Sequence, residues 1–325
     1  MSGGKRTWVI LALIIMLIST SGCLDMFGGE DEKMVPREGR WGIYVMDLST
    51  EEVELVYTTD MVISGLTMDS AGETLAFSMK EGMDPFDPTS EIYTLRTDGT
   101  GLKRLTQNHV FDTYPSFSPD GSMIAYLSMP HGTMNIYTMD SSGDNQGLLY
   151  DSGGHDSDVD WGVDLMVFTR EHRIWSMDPD GTDPVPVTDP SNAGQWGTAN
   201  LPVGDYDPRL SPDGTKVVFE RLWNPNTPHG GYDIFVIGSD GTGETRLTTT
   251  GYAQGLPGWS NDGNRIVYSV AAKGERGVYD LYMMNSDGTG NRKITPDHFP
   301  QTFLAHQGVF SGDDSSIFFI GEWWE

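Results

Sequence analysis

The amino-acid sequence predicts an all-β fold, a six-bladed β-propeller, from three observations. A hairpin-forming motif recurs along the chain, a second kind of turn follows the copies, and each end of the chain lacks strands that the other end supplies. The clearest copy, residues 114–126, has an aromatic-containing run, a Ser-Pro-Asp-Gly turn and an apolar run ending on an aromatic residue. Proline and glycine supply the backbone angles of a tight turn, so this segment predicts two antiparallel strands.

An aromatic residue closes the second strand of this hairpin in every copy. It recurs at intervals of 42 to 51 residues, at Phe77, Tyr126, Phe168, Phe219, Tyr268 and Phe319. A period of about 40 to 50 residues with several short strands per repeat is typical of a β-propeller, in which each repeat forms one four-stranded blade. Six copies therefore predict six blades.

A third strand with an aliphatic–aromatic pair follows each hairpin. The six pairs are Ile43-Tyr44, Ile92-Tyr93, Ile136-Tyr137, Ile174-Trp175, Ile234-Phe235 and Leu281-Tyr282. In four repeats an Asp-Gly-Thr turn comes next, and a fourth strand ends on Leu-Thr or a close variant, as at Leu105-Thr106. Because Asp-Gly between two extended runs favours a hairpin, each repeat predicts four strands in sequence.

The order of the predicted strands indicates how the ring closes. The chain begins with a third strand at Ile43 and ends with a second strand at Phe319. Residues 39–57 therefore supply the outer two strands that the segment 309–320 lacks, and the two ends pair into one composite blade. This closure removes the edges that an open sheet would expose to aggregation.

Composition narrows the classes of function. The chain has 325 residues, 37% of them hydrophobic, and a formal net charge of -27. Such acidity argues against a nucleic acid or an anionic membrane surface as a partner, since both require a basic face. The sequence has no Gly-x-Ser-x-Gly nucleophile elbow, which argues against a serine-hydrolase domain.

The amino terminus predicts export and a lipid anchor. Lys5-Arg6 precede the apolar residues 8–18, which suit a signal peptide better than a membrane span. The following Ser-Thr-Ser-Gly-Cys resembles the lipobox of lipoproteins, and Cys23 is the only cysteine in the chain. We expect residues 1–22 to be a lipoprotein signal peptide, Cys23 to carry the lipid, residues 23–39 to be a flexible acidic leash, and residues 40–325 to form the propeller. The protein would then be anchored to the outer face of the membrane or the cell surface, touching the membrane only through the lipid.

The loops between successive blades contain the candidate site. In a propeller they surround one mouth of the central channel, and loops on a rigid scaffold often carry function. Four of the seven histidines fall there, with several aspartates. We expect ligand contacts from Asp112, His155, Asp158, Asp207 and His306. Carboxylates and imidazoles that converge could hold a divalent cation, but no His-x-x-x-His spacing supports a metal site, and hydrated loop side chains are the alternative.

Two tryptophans stand outside the strands. Most tryptophans of the chain are at strand positions, where they are expected to fill the space between blades. Trp196 lies in the long segment 189–207, and Trp223 precedes a loop rich in asparagine and proline. If exposed, either could stack on a sugar or a peptide.

The Ser-Pro-Asp-Gly hairpin, the Asp-Gly-Thr turn and the Leu-Thr ending together resemble the repeat of TolB-like propellers. The resemblance covers nearly all of residues 40–322 and is closest at 117–126 and 210–219; in the last copy Asp314 stands where glycine is expected. It implies a non-catalytic module that docks an envelope or extracellular protein at the channel mouth; the two tryptophans make carbohydrate a further possible partner. The alternatives are a metal-assisted, lyase-like enzyme acting on polysaccharide in the channel, and a purely structural surface protein.

Overall fold

The computed structural model describes residues 39–82, 87–226, 231–272 and 278–324. Within them the chain forms 24 β-strands in six four-stranded sheets, and no helix. The predicted six-bladed β-propeller is therefore confirmed. The predictions for residues 1–22, for Cys23 and for nearly all of the leash concern residues outside these ranges.

The strands follow one another around the ring, inner strand first in each complete blade. The chain opens with β1 (Trp41–Asp47) and β2 (Val53–Thr59). The first complete blade contains β3 (Val62–Met68), β4 (Thr74–Lys80), β5 (Glu91–Arg96) and β6 (Lys103–Arg104). The second contains β7 (Asp112–Phe117), β8 (Met123–Ser128), β9 (Asn135–Asp140) and β10 (Gly147–Tyr150). The third contains β11 (Asp156–Trp161), β12 (Met166–Arg170), β13 (Arg173–Met177) and β14 (Val185–Pro186).

The remaining strands complete the ring in the same order. The fourth blade contains β15 (Gly204–Leu210), β16 (Lys216–Asn224), β17 (Gly231–Gly238) and β18 (Thr245–Arg246). The fifth contains β19 (Gln254–Trp259), β20 (Arg265–Ala272), β21 (Val278–Asn285) and β22 (Arg292–Lys293). The chain ends with β23 (Phe303–Phe310) and β24 (Ser316–Trp323).

The sixth blade is the composite one. Its strand order is β2-β1-β24-β23, so its inner two strands come from the end of the chain and its outer two from the beginning. The register comprises seven pairs, from Trp41 opposite Glu322 to Asp47 opposite Ser316. Closure by pairing of the two ends is thus confirmed.

The repeated aromatic residues meet across the strands of each blade. The closing aromatic of the second strand lies directly opposite the aromatic of the third strand in all six blades; Phe77 opposite Tyr93 and Phe219 opposite Phe235 are examples. These two pairs stack with ring centroids 6.3 and 5.8 Å apart. Because aromatic cross-strand pairs stabilise a sheet beyond the area they bury, this pairing accounts for the aliphatic–aromatic repeat.

Polar residues that recur in the repeats stabilise the turns and the strand ends. At the turns they adopt the backbone angles required, and at the strand ends they accept backbone hydrogen bonds. Asp314 adopts φ +60°, the left-handed conformation that glycine takes in the equivalent turn at Gly121, where φ is +70°. Asparagine and aspartate tolerate this region better than other side chains. The threonine of the Leu-Thr ending accepts a backbone N–H of the third strand, as Thr106 Oγ1 does from Ile92 at 2.9 Å.

A search of the described residues finds no helix with the length and apolarity needed to cross a membrane.

Candidate functional site: the central channel

The channel has two ends, which we call the loop-side mouth and the turn-side mouth. Connections between blades surround the loop-side mouth, and the turns joining the first and second strands surround the turn-side mouth. Between them, the register of every inner strand shifts at a β-bulge. The left-handed residues at these bulges, which we call the bulge ring, are Gly65, Tyr114, Asp158, Asp207, Leu256 and Gln307.

Contacts between neighbouring blades connect members of the bulge ring. The N–H of Gly65 donates to Gln307 Oε1 at 3.0 Å, which joins the first and sixth blades. A Cβ atom at Gly65 would lie 2.9 Å from the Cα of Tyr114, so only glycine fits at this point. The N–H of Asp207 lies 3.5 Å from Asp158 Oδ2. The ring is therefore packed tightly around the channel axis.

Three carboxyl groups meet at the bulge ring. Asp158 and Asp207 belong to it, and Glu220 of β16 reaches it by accepting the N–H of Leu256 at 3.1 Å. All three are at most 1% exposed. Both oxygens of Asp207, Oδ1 of Asp158 and Oε1 of Glu220 have no hydrogen-bond partner among the described residues.

Burial determines the protonation of this cluster. Removal from water disfavours a charged carboxylate, and a neighbouring carboxylate adds repulsion. Burial, together with the charge of Asp158, raises the pKa of Glu220 to about 8. Burial and then the charges of Asp158 and Glu220 raise the pKa of Asp207 well above its ordinary value, and burial also raises the pKa of Asp158. Glu220 is thus mainly protonated at neutral pH.

A cavity of about 390 Å³ opens from the bulge ring to the turn-side mouth. All six inner strands and five of the turns contribute to its wall, which includes Trp161, Trp259 and Gln307. Val163 stands at its rim with 59% of its surface exposed. The cavity combines aromatic, hydroxyl and charged side chains, as a surface that accepts a protein segment does.

Asp160 holds this cavity wall together. Its Oδ2 accepts the N–H of Leu210 at 2.8 Å, and its Oδ1 accepts the hydroxyl of Ser116 at 3.2 Å. One carboxylate therefore connects the second, third and fourth blades. The indole of Trp259 adds a further link by donating to the carbonyl of Arg209 at 3.1 Å.

Asp112, one of the predicted contact residues, is fully buried at the start of β7. The hydroxyl of Ser128 donates to its Oδ1 at 2.5 Å, and the amide of Asn108 donates to its Oδ2 at 2.8 Å. Burial raises the pKa of Asp112 to about 6 in spite of these donors. The side chain connects the loop before β7 to β8, which is a structural arrangement.

The two predicted histidines also lie in packed surroundings. His155 is half-buried, and its Nδ1 accepts the N–H of Met134 at 3.2 Å; burial lowers its pKa. His306 lies within β23 between the rings of Trp41 and Tyr279, with centroids 6.0 and 6.2 Å away. Burial lowers the pKa of His306 to about 4. Both imidazoles are therefore neutral at neutral pH.

Of the five predicted residues, the structure brings Asp158 and Asp207 together. Across the described residues, no hydrogen bond or ion pair joins Asp112, His155 or His306 to them. In the same part of the chain, no group of three or more His, Cys, Asp or Glu side chains has an arrangement suited to a metal ion. The predicted ligand contacts and the possible divalent cation stay predictions.

Sequence reasoning missed Glu220 and the bulge ring, although the repeats carry a signal for both. The ring residue stands seven positions before the turn glycine, at Tyr114 before Gly121 and at Asp207 before Gly214. Glu220 follows the closing aromatic Phe219, where other repeats have serine, threonine or an aliphatic residue. An acid at a position that is otherwise uncharged in the repeat is the signal that could have found it.

Comparisons with known proteins include TolB-related matches. The family model of the TolB beta propeller domain matches residues 35–189. A Protein TolB homolog of Chlorobium luteolum is 29% identical over 163 residues, covering 48% of this chain and 33% of that protein. An uncharacterised protein of Agrobacterium fabrum is 29% identical over 191 residues, covering 55% of this chain and 61% of that protein. The chain thus spans about a third and about three fifths of these two relatives.

Solved structures agree on the architecture. A putative TolB from Agrobacterium tumefaciens superposes with a TM-score of 0.65 at 17% identity, covering 88% of this chain and 99% of that one. At this identity the likeness concerns the fold. The class of protein that this fold defines is therefore a six-bladed β-propeller that closes through a composite blade. The family match over residues 35–189 and the TolB relative support a TolB-like propeller.

Proposed function

We propose that this protein is an exported, non-catalytic module that docks another protein and is held at the cell envelope by a lipid on Cys23. Its similarity to TolB-like propellers suggests a protein-binding role and is consistent with export. The observation that carries the proposal is the cavity at the turn-side mouth, to which all six inner strands contribute. Docking takes place there by insertion of a partner segment.

The path of the chain supports this choice of mouth. β1 begins at Trp41, opposite Thr59 of β2 and Glu322 of β24, all at the loop side. A leash joined to residue 39 therefore leaves the propeller from the loop side. In an anchored protein the leash is thus attached at the loop side, and the turn-side mouth, at the opposite end of the propeller, is left free for a partner.

Site-specific photo-crosslinking in the native cells tests the docking site. A photoreactive residue replaces Val163 at the turn-side rim, which is 59% exposed, or Val185 on the outer strand β14, which is 53% exposed and serves as the matched control. A protein adduct at position 163 but not at 185 is expected. Equal adducts at both positions, or none at 163, contradict docking at this mouth.

The predicted loop-side contacts Asp112, His155, Asp158, Asp207 and His306 are the alternative docking surface. Since Asp112 and Asp158 are fully buried, their exchange for alanine would test folding together with binding. His155 is half-buried and better suited to a probe. An adduct at position 155 with none at 163 would place docking at the loop-side mouth.

The anchor has its own test. Cys23→Ser should move the protein from the membrane fraction to the soluble fraction and abolish labelling by a fatty acid analogue. The melting temperature should not change, because residue 23 lies outside the predicted propeller. A Cys23→Ser protein that stays in the membrane fraction would contradict the lipid anchor.

A further inference from the structure

Two tryptophans are exposed at the loop side of the fourth blade, Trp196 in a loop and Trp223, which was expected outside the strands, in β16. Trp196 is 51% exposed in the long connection before β15, and Trp223 is 46% exposed near the end of β16. Large aromatic side chains normally contribute their area to a core or an interface. Two exposed indoles on one blade therefore mark a candidate contact surface.

Backbone contacts join the two loops into one surface. The carbonyl of Pro225 accepts the N–H groups of Thr198 at 2.6 Å and Ala199 at 2.8 Å. Gly197 approaches so closely that a Cβ atom would lie 2.4 Å from that carbonyl oxygen. Both tryptophans lie within two residues of this junction. We call the surface formed by Trp196, Trp223 and the junction the tryptophan platform.

The loop that carries Trp196 is held by its neighbours. Leu201 is 1% exposed and packs in a cluster with Tyr206, Leu222 and Tyr232. The hydroxyl of Tyr232 also donates to Asn200 Oδ1 at 2.7 Å. The loop is thus fastened at Asn200 and Leu201, a few residues after Trp196, so the exposed Trp196 is carried by a fixed backbone.

Trp223 is held through its own ring. Its Nε1 donates to Asp233 Oδ2 at 2.6 Å, and the guanidinium carbon of Arg246 lies 4.8 Å from the ring centroid. Arg246 also pairs with Asp233. Because the indole is already fixed, the side chain of Trp223 loses little conformational entropy when a ligand stacks on it.

The charges near the platform are paired with each other. Arg246 pairs with Asp233, and Arg221 pairs with Asp205 and Glu244. These described charged groups are therefore already paired and offer little to a charged ligand, and the net charge of -27 disfavours an anionic one. Indole rings flanked by the exposed amides of Gln195, Asn200 and Asn226 suit an uncharged ligand with apolar ring faces and hydroxyl groups.

We propose that the tryptophan platform binds a neutral polysaccharide, with sugar rings stacked on Trp196 and Trp223. This site is separate from the turn-side cavity and goes beyond the proposed docking of a protein. The lipid-anchored protein would then contact a glycan on its membrane side. Failure of the crosslinking test would leave this proposal intact. Likewise, failure of the polysaccharide to bind would leave the proposed docking of a protein intact.

Titration of the purified protein with cellohexaose, mannohexaose, xylohexaose and chitohexaose tests the proposal, with tryptophan fluorescence and calorimetry as readouts. At least one neutral oligosaccharide should bind, and Trp196→Ala should weaken it by about tenfold or more. Trp223→Phe keeps an aromatic face but loses the Asp233 hydrogen bond, and should weaken it less. Leu148→Ala, an exposed residue of β10, is the matched control and should bind as the unaltered protein does.

Three results would overturn the proposal. One is the absence of binding by all four oligosaccharides up to about 10 mM. Another is equal binding by the protein and its Trp196→Ala variant, with both melting temperatures unchanged. The third is a preference for polygalacturonate, an anionic polysaccharide, over the neutral ones.

Discussion

Asp207 and Asp213 belong to one repeat, yet the structure gives their carboxyl groups opposite properties. Asp213 is exposed in the hairpin turn, and its Oδ1 accepts three hydrogen bonds, from Ser211 Oγ and from the N–H and hydroxyl of Thr215. These donors lower its pKa to about 2. Asp207 is 1% exposed in the bulge ring, neither of its oxygens has a hydrogen-bond partner in the described part of the chain, and its pKa is raised. Burial and the number of donors, rather than residue type, decide the charge.

The same division runs through the molecule. Hydrogen bonds within the turns lower the pKa of Asp120 and Asp313 to about 2, whereas burial raises that of Glu322 to about 7 and that of Glu220 to about 8. The folded protein therefore carries fewer negative charges at neutral pH than its formal charge of -27. Among these four acids, the two with lowered pKa lie on turns and the two with raised pKa are buried.

The largest expected effect of this contrast is on the pH dependence of stability. The pKa of Glu220 rises from 4.5 to about 8 on folding, so the folded protein keeps a proton that the unfolded chain releases. The stabilisation that this proton on Glu220 gives to the folded state is fully present below pH 4.5 and is lost as the pH rises through 8. It amounts to about 5 kcal/mol in full, of which about 4 kcal/mol should appear as the difference in the free energy of unfolding by urea between about pH 5 and about pH 9.

Glu220→Gln provides the control for that measurement. The amide oxygen can still accept the N–H of Leu256, but no proton is released. Most of the stability difference between the two pH values should disappear in this variant. A difference as large as that of the unaltered protein would mean that other groups cause it.

Asp112→Ala should have the next largest effect, a loss of about 2 to 4 kcal/mol. This carboxyl is as buried as that of Asp207, but Ser128 and Asn108 donate to it, and truncation leaves both donors without their acceptor. Thermal unfolding measures the loss. An unchanged free energy of unfolding would show that the hydrogen bonds from Ser128 and Asn108 do not make Asp112 different from Asp207.

Asp207→Asn should act in the opposite direction and stabilise the protein by about 1 to 2 kcal/mol at neutral pH. The amide removes an ionisable group from a buried site, and its N–H groups can donate to the unpartnered oxygens of Asp158 and Glu220. The melting temperature should rise by a few degrees. A fall in melting temperature would contradict the view that this carboxyl destabilises the fold.

Asp213→Asn should have the smallest effect, a slight loss of stability at neutral pH. The lowered pKa of Asp213 means that its contribution is present above pH 3.8 and is lost as the pH falls through 2. The variant and the unaltered protein should therefore converge in melting temperature at about pH 2. A constant difference down to that pH would indicate a purely steric cause.

Most of the fold could be predicted from the sequence because its repeat is local. The hairpin turns, the cross-strand aromatic pairs and the composite blade all follow from spacing. The site could be predicted only in part. Asp158 and Asp207 were expected in loops at a mouth, but the bulges set them inside the strands at the channel centre. A bulge depends on packing between blades, which the alternation of apolar residues in one strand does not record.

The composite blade also determines how the molecule bears tension. β1 is paired along its length with β2 on one side and β24 on the other. If the leash pulls on residue 39 while a partner holds the turn-side mouth, the force runs along β1 and loads these hydrogen bonds in parallel, in shear. Pulling the two chain ends apart would instead open the β1–β24 pairs one at a time from Trp41 and Glu322. A tethered propeller that docks at its far mouth is thus loaded in its mechanically stronger direction.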